Sequence, residues 1–153
     1  MKNLQELNTV KLNHLLAITE DSKFFYETAA KNIDDINMKD SFTRFSHQRT
    51  FYAQQLRDLV KSMGETQGNY ENTRGPLHRV WIDVKFAINS GIKDAVIDAF
   101  TACENNVINI YKEVLQDEYP SDSFRGIILS QLYGIQKALQ TICNLGRKSC
   151  IVN

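Results

Sequence analysis

The chain predicts an all-α fold: a four-helix bundle whose second and third long helices are joined by a long crossover carrying a short extra helix. Three observations lead there. Apolar residues recur at three- and four-residue steps through four long stretches. No stretch alternates apolar and polar residues long enough to demand a strand. The two prolines, Pro76 and Pro120, fall between the periodic stretches, where they punctuate helices instead of breaking them. Length and pattern together predict one domain over residues 1–145 and a C-terminal tail over 146–153.

The first helix is expected from Thr9 to Ile33, with Leu12, Leu15, Leu16, Thr19, Ser22, Tyr26, Ala29 and Ala30 on its inner stripe. Asp34-Asp35-Ile36-Asn37 reads as its turn. A second helix follows from Lys39 to Met63, its inner face drawn by Phe42, Phe45, Arg49, Tyr52, Ala53, Leu56, Leu59 and Val60, and Gly64 stands where a left-handed residue stops a helix. Glu65 to Gly75, rich in Gly, Asn, Thr and charge, is expected to be a loop. Pro76 at a first helical position then opens a short amphipathic helix, Leu77 to Ile88, which Asn89-Ser90-Gly91 ends. The third long helix, Lys93 to Gln116, carries Ile97, Phe100, Glu104, Val107, Ile108, Tyr111 and Leu115 inward. After a connection at Asp117 to Ser121, the last helix runs from Asp122 to Leu145, with Ser121 as its N-cap and Phe124, Ile127, Ile128, Gln131, Ile135, Ala138, Leu139 and Ile142 inward. A short turn between the second and third long helices would make them antiparallel neighbours. The connector, residues 64 to 92, is long enough to cross the bundle, which predicts a ferritin-like topology.

Composition narrows the function classes. Eighteen basic residues balance 18 acidic ones, so the global positive field on which nonspecific nucleic-acid binding relies is missing. No run approaches the ~20 apolar residues of a membrane span, and the opening residues lack a secretion signal's apolar core, so a cytoplasmic protein is expected. Cys103, Cys143 and Cys150 show no zinc-type spacing and read as reduced thiols.

Each long stretch carries one polar residue near the middle of its apolar stripe: Ser22, Arg49, Glu104 and Gln131. In a bundle these would share one buried level, where such folds build metal and ligand sites. A di-iron centre needs glutamates on two helices and Glu-x-x-His on the other two. Three residues before His14, His47 and His78 stand Lys11, Arg44 and Gly75, so the motif is missing, and no metal or cofactor is expected. A buried guanidinium needs a carboxylate, because an isolated charge costs several kcal/mol. The sharper reading pairs Arg49 with Glu104, with Ser22, Tyr26, Tyr52 and Gln131 supplying further hydrogen bonds; in the other, either side chain snorkels out between the helices.

The most distinctive local cluster is His78, Arg79, Trp81, Asp83 and Lys85 on the short helix. Two readings stand. In the structural one, Trp81 pins the helix to the bundle while His78 and Arg79 tie down the preceding loop. In the other, His78 and Asp83 form an acid/base pair or anion site near a helix start. No Ser or Cys has an evident triad and no Gly-rich phosphate loop follows a strand, so nothing points to an enzyme.

The block Leu77-His78-Arg79-Val80-Trp81-Ile82-Asp83-Val84-Lys85, with Gly91, Ala95, Cys103-Glu104, Tyr111-Lys112 and Leu115 after it and Gln48-Arg49, Phe51 and Tyr26-Glu27 before it, resembles a bacterial family of uncharacterised ferritin-like four-helix-bundle proteins. That family shows Leu-His-Arg-x-Trp-x-Asp-x-Lys ahead of its third long helix. The resemblance implies the fold and no known activity. Where family members often carry Gly-Glu-Asp after Cys-Glu, this chain has Asn105-Asn106-Val107.

Phe24, Phe25, Phe51, Phe86 and Ile110 fall off the inner stripes, more apolar surface than a solvated monomer needs. Two uses are open: some of them cover the connector helix, or exposed aromatic helix faces join a homodimer, which is the expected partner. Taken together, the sequence points to a noncatalytic bundle acting through self-association or protein interaction, of unidentified cellular role. Its rivals are a ferritin-like metal-binding oxidase or store with an atypical site, and a small-ligand carrier using the polar level.

Overall fold

A computed structural model of the chain describes residues 4–64, 76–116 and 122–146. Five helices and no strand occur among them: α1 (Leu4–Asn32), α2 (Ile36–Ser62), α3 (Pro76–Ser90), α4 (Lys93–Gln116) and α5 (Asp122–Leu145). The start of α1 lies before the expected Thr9, because Leu4, Gln5, Glu6 and Leu7 are good helix formers and nothing among them stops a helix. α2 also starts early. The Asp35 side chain accepts a hydrogen bond from the Met38 N–H at 3.0 Å and caps the helix, so the expected four-residue turn shrinks to residues 33–35. Gly64 and Gly91 hold φ of 74° and 69° and end α2 and α3 in the left-handed conformation that glycine tolerates. The Glu65 to Gly75 loop, the Ser121 cap and, Gly146 apart, the expected tail lie outside the described residues.

Packing fixes the order of the helices around the bundle. α1 lies against α2 and α4, and α5 lies against α4 and α2, while α2 and α4, like α1 and α5, make no close backbone approach and so sit on diagonals. An ion pair between Lys93 Nζ and Asp35 Oδ2, 3.2 Å long, places the first turn of α4 beside the start of α2. Those diagonal helices therefore run parallel. At Gly146 an added Cβ would stand 3.4 Å from Ile97 Cδ1, which brings the end of α5 back to the beginning of α4. The crossover thus returns the chain along the bundle before α4 begins, and α3, packed on α4 and α1, is its return limb.

Leu12, Leu15, Leu16, Phe42, Leu56, Ile135 and Leu139 are fully buried in the core. Tyr26 stacks on Phe100 at 4.9 Å between ring centroids and meets Phe42 and Phe45 at 5.4 Å. Two residues expected to point outward do not. Phe25 is buried because the Trp81 ring of α3 stacks on it at 4.7 Å and 15°. Ile110 is buried in a second stripe of α4 with Val96, Cys103 and Val114, at seven- and four-residue steps, for which the packing of α3 on α4 supplies cover. Phe24, Phe51 and Phe86 are exposed. Cys103 is a buried free thiol, whereas Cys143 is disulfide-bonded, which corrects the expectation of a reduced thiol there. No helix among the described residues is long and apolar enough to cross a membrane.

Candidate functional site: a polar seam through the core

The diagonal arrangement of α2 and α4 leaves a gap across the bundle centre that only long side chains bridge. Arg49 fills it. Its Nη1 donates to Glu104 Oε1 at 2.9 Å and its Nη2 to Glu104 Oε2, a two-pronged ion pair between side chains 1% and 0% exposed. The remaining Nε–H donates to Gln48 Oε1 at 3.1 Å, and the guanidinium carbon lies 5.3 Å from the Tyr26 ring centroid, within cation–π range. Burial by itself would lower the pKa of Arg49, but the Glu104 carboxylate outweighs it and raises that pKa, so the guanidinium stays charged. Burial also holds the Tyr26 phenol well above 10, with Glu104 adding to the effect, and it pushes the Cys103 thiol up in the same way. The Tyr26 hydroxyl makes no hydrogen bond within normal geometry.

Further along the bundle, three residues past Arg49 on α2 and seven past Glu104 on α4, lies a second polar level. Tyr111 Oη donates to Gln131 Oε1 at 2.7 Å, and Gln131 Nε2 donates to the Tyr52 carbonyl at 3.2 Å and to Gln55 Oε1 at 3.1 Å. Thr19 Oγ1 stands 3.3 Å from the Tyr111 oxygen and 2.7 Å from the Leu15 carbonyl. Since Tyr111 spends its one hydrogen on Gln131, the single Thr19 hydrogen is divided between Leu15 and Tyr111. Thr19, Tyr111, Gln131 and Tyr52 thus link α1, α4, α5 and α2 in one chain of contacts.

The expected single layer is therefore two levels. Arg49 and Glu104 come together with Tyr26 beside them, whereas Gln131 belongs to the other level. Ser22 joins neither, since its hydroxyl donates to the Ile18 carbonyl at 2.9 Å in its own helix. Tyr52 contributes its backbone oxygen to Gln131, while its phenol lies over Gly134, where an added Cβ would stand 1.9 Å from Tyr52 Oη. Gln48 Nε2 donates to the Gly134 carbonyl at 3.3 Å, so this glycine marks a close approach of α2 and α5. Thr19 and Tyr111 sit on stripes that periodicity identifies. Their hydroxyls were the signal that reading the stripes as apolar passed over.

The seam does not fit the di-iron centre that ferritin-like bundles build. Both Glu104 oxygens face the Arg49 guanidinium, a fixed cation where a metal would lie, and no group of three or more His, Cys, Asp or Glu among the described residues could hold an ion.

On α3, His78, Arg79, Asp83 and Lys85 are exposed, and Trp81 is half-buried between Phe25 and Phe24, whose ring lies 5.2 Å away. His78 and Asp83, five residues apart, point ~140° from each other around the helix and share no hydrogen bond, so the acid/base pairing has no geometry to stand on. Beside Trp81 runs a cleft of about 310 Å³ between α1 and α3, lined by Asp21, Phe24, Phe25, Leu77, His78 and Trp81.

Residues 8–117, well over half of the chain, match the family described as a domain of unknown function (DUF2383). The chain belongs to this family. The DUF2383 match runs from α1 through the end of α4 and so includes Arg49, Glu104, Tyr26, Thr19, Tyr111 and all of α3, while Gln131 and Gly134 on α5 lie beyond it. No curated protein and no solved structure matches this DUF2383 chain.

Proposed function

We propose that this DUF2383 protein is a noncatalytic bundle of ferritin-like connectivity that works by self-association or by binding another protein. One observation carries the reading: the only charged pair in the core, among the described residues, is closed on itself, with both Glu104 oxygens engaged by Arg49. A carboxylate so engaged already has its charge matched by a fixed cation on both oxygens, and that cation at the bundle centre repels metal ions. The seam then serves to fix helix register, and function moves to the surface. There, Phe24, Phe51, Ile82, Phe86 and Tyr133 are each more than half exposed.

The test is metal and mass analysis of protein purified without a metal-affinity tag, combined with light scattering. The expected result is no stoichiometric iron or manganese after loading under reducing conditions, no copurified small molecule, and a mass above that of the monomer. Stoichiometric metal that is lost in Glu104→Gln would favour the oxidase or store. A small molecule retained in native mass spectra would favour the carrier.

A further inference from the structure

The exposed face of α3 has the pattern of a helix that pairs with its own copy. Val84, Ala87 and Ile88 are buried against the bundle, which turns Ile82 and Phe86 outward, 60% and 78% exposed and four residues apart on one stripe. Arg79 and Asn89 extend this stripe at either end. On the α1 side, the strip continues through Trp81 to Phe24, itself 53% exposed. Ile82, Phe86 and Phe24 together leave roughly 350 Å² of apolar side chain open to water, somewhat under half of the ~800 Å² that a standard interface takes from each partner. The remainder would have to come from the polar flanks, and their charges indicate the partner.

Opposite charges flank the stripe near its middle. Taking about 100° per residue, Asp83 lies on one side and Lys85, two residues on, lies on the other, with Arg79 toward the Asp83 side and His78 toward the Lys85 side. The whole chain has no formal net charge, so two copies approach without long-range repulsion. An anionic membrane or nucleic acid would instead favour a surface of one positive sign. Two α3 helices packed face to face about a two-fold axis have two options. Antiparallel, they set Asp83 against Asp83 of the second copy and Lys85 against Lys85. Parallel, they set Asp83 of each copy beside Lys85 of the other, with Ile82 and Phe86 meeting their own counterparts at the seam.

We infer that the occupant of the α3 face is a second copy of this chain, joined as a parallel α3 pair with Ile82 and Phe86 at its centre. The inference rests on the self-association proposed above and names its surface and direction. Sedimentation velocity decides first whether the chain associates. If the native protein is monomeric at high concentration, both the self-association and this interface fall. If it dimerises, Ile82→Glu/Phe86→Glu, which alters exposed positions alone, should raise the dissociation constant at least about a hundredfold by placing unpaired charges in the seam. Helical content by circular dichroism should stay unchanged. Direction is read from Asn89→Cys under mild oxidation, with the native chain as control. In the parallel pair the two introduced thiols stand at the same height and crosslink the dimer. In the antiparallel pair they lie ~15 Å apart along the helices and do not. A dimer that survives the double glutamate substitution, or one that forms without the Asn89→Cys crosslink, overturns the inference and leaves self-association through another face standing.

Discussion

Changing Glu104 to Gln keeps the shape of the side chain and one acceptor for Arg49 Nη1, and removes the charge. Arg49 is 1% exposed, so its guanidinium cannot recover solvent without opening the bundle. What remains to it is the Gln48 oxygen and the Tyr26 ring face. Removing one partner of such a buried pair costs about 3 to 5 kcal/mol, and the retained hydrogen bond puts this substitution toward the lower end. At about 2 to 4 °C per kcal/mol for a chain of this size, Tm should fall by about 6 to 12 °C. With a urea slope of about 2 kcal/mol per molar, the unfolding midpoint should drop by about 1.5 M. The double substitution Arg49→Met/Glu104→Leu removes both desolvated charges and should recover much of the loss. The assay is urea unfolding of native, single and double variants followed by far-ultraviolet circular dichroism. Single and double variants losing the same small amount, below about 1 kcal/mol, would refute the view that the two charges answer each other in the core.

Gly134→Ala should destabilise despite the better helix propensity of alanine, because the new Cβ collides with the Tyr52 phenol; in a Tyr52→Ala background, where only the end of the Gln48 side chain at 3.2 Å must give way, the same change should cost markedly less, a difference that thermal unfolding would detect. Burial pushes the Tyr111 phenol up to about 12 while Thr19 opposes, and Tyr26 is held well above 10, so both keep their protons in the fold after an unfolded chain has lost them. The stabilisation is full below about pH 10, and the Tyr111 share is lost as pH rises through about 12. Absorbance at 295 nm should therefore show two of the six tyrosines ionising only as the protein unfolds. Burial lowers the His14 pKa below 6.5, with Glu113 opposing, so the neutral ring favours the fold above pH 6.5 and that contribution is lost as pH falls below it. His14→Gln should flatten this part of the stability profile in acid titrations of urea midpoints.

How far the sequence could be read depended on what kind of force acts at each position. Helix periodicity located all five helices of the described residues because burial of an apolar stripe is a repeated, local signal, and the α4 and α5 limits came out as Lys93 to Gln116 and Asp122 to Leu145. The start of α2 was missed because one capping side chain, Asp35, shifts the boundary by three residues. Arg49 and Glu104 were legible as partners because two buried opposite charges have few other ways to be satisfied. Gln131 was assigned to the wrong level because the middle of a helix in sequence is not its height in the bundle. That height depends on where each helix begins and how α2, α4 and α5 slide against each other. That some off-stripe residues cover the connector helix was legible, but that Phe25 and Ile110 are the ones was not, because the docking side of α3 is contained in no helical wheel of α1 or α4.

The chain of contacts from Thr19 through Tyr111 and Gln131 to the Tyr52 carbonyl, with the Arg49 ion pair beside it, leaves none of the four long described helices out of the polar seam. Lifting α2, α4 or α5 away leaves at least one of these buried polar groups without its partner, so opening any of the three alone costs nearly as much as complete unfolding, whereas α1 is tied to the seam only through the shared Thr19 hydrogen. Amide hydrogens in the middle of α2, α4 and α5 should therefore exchange together, through one global event.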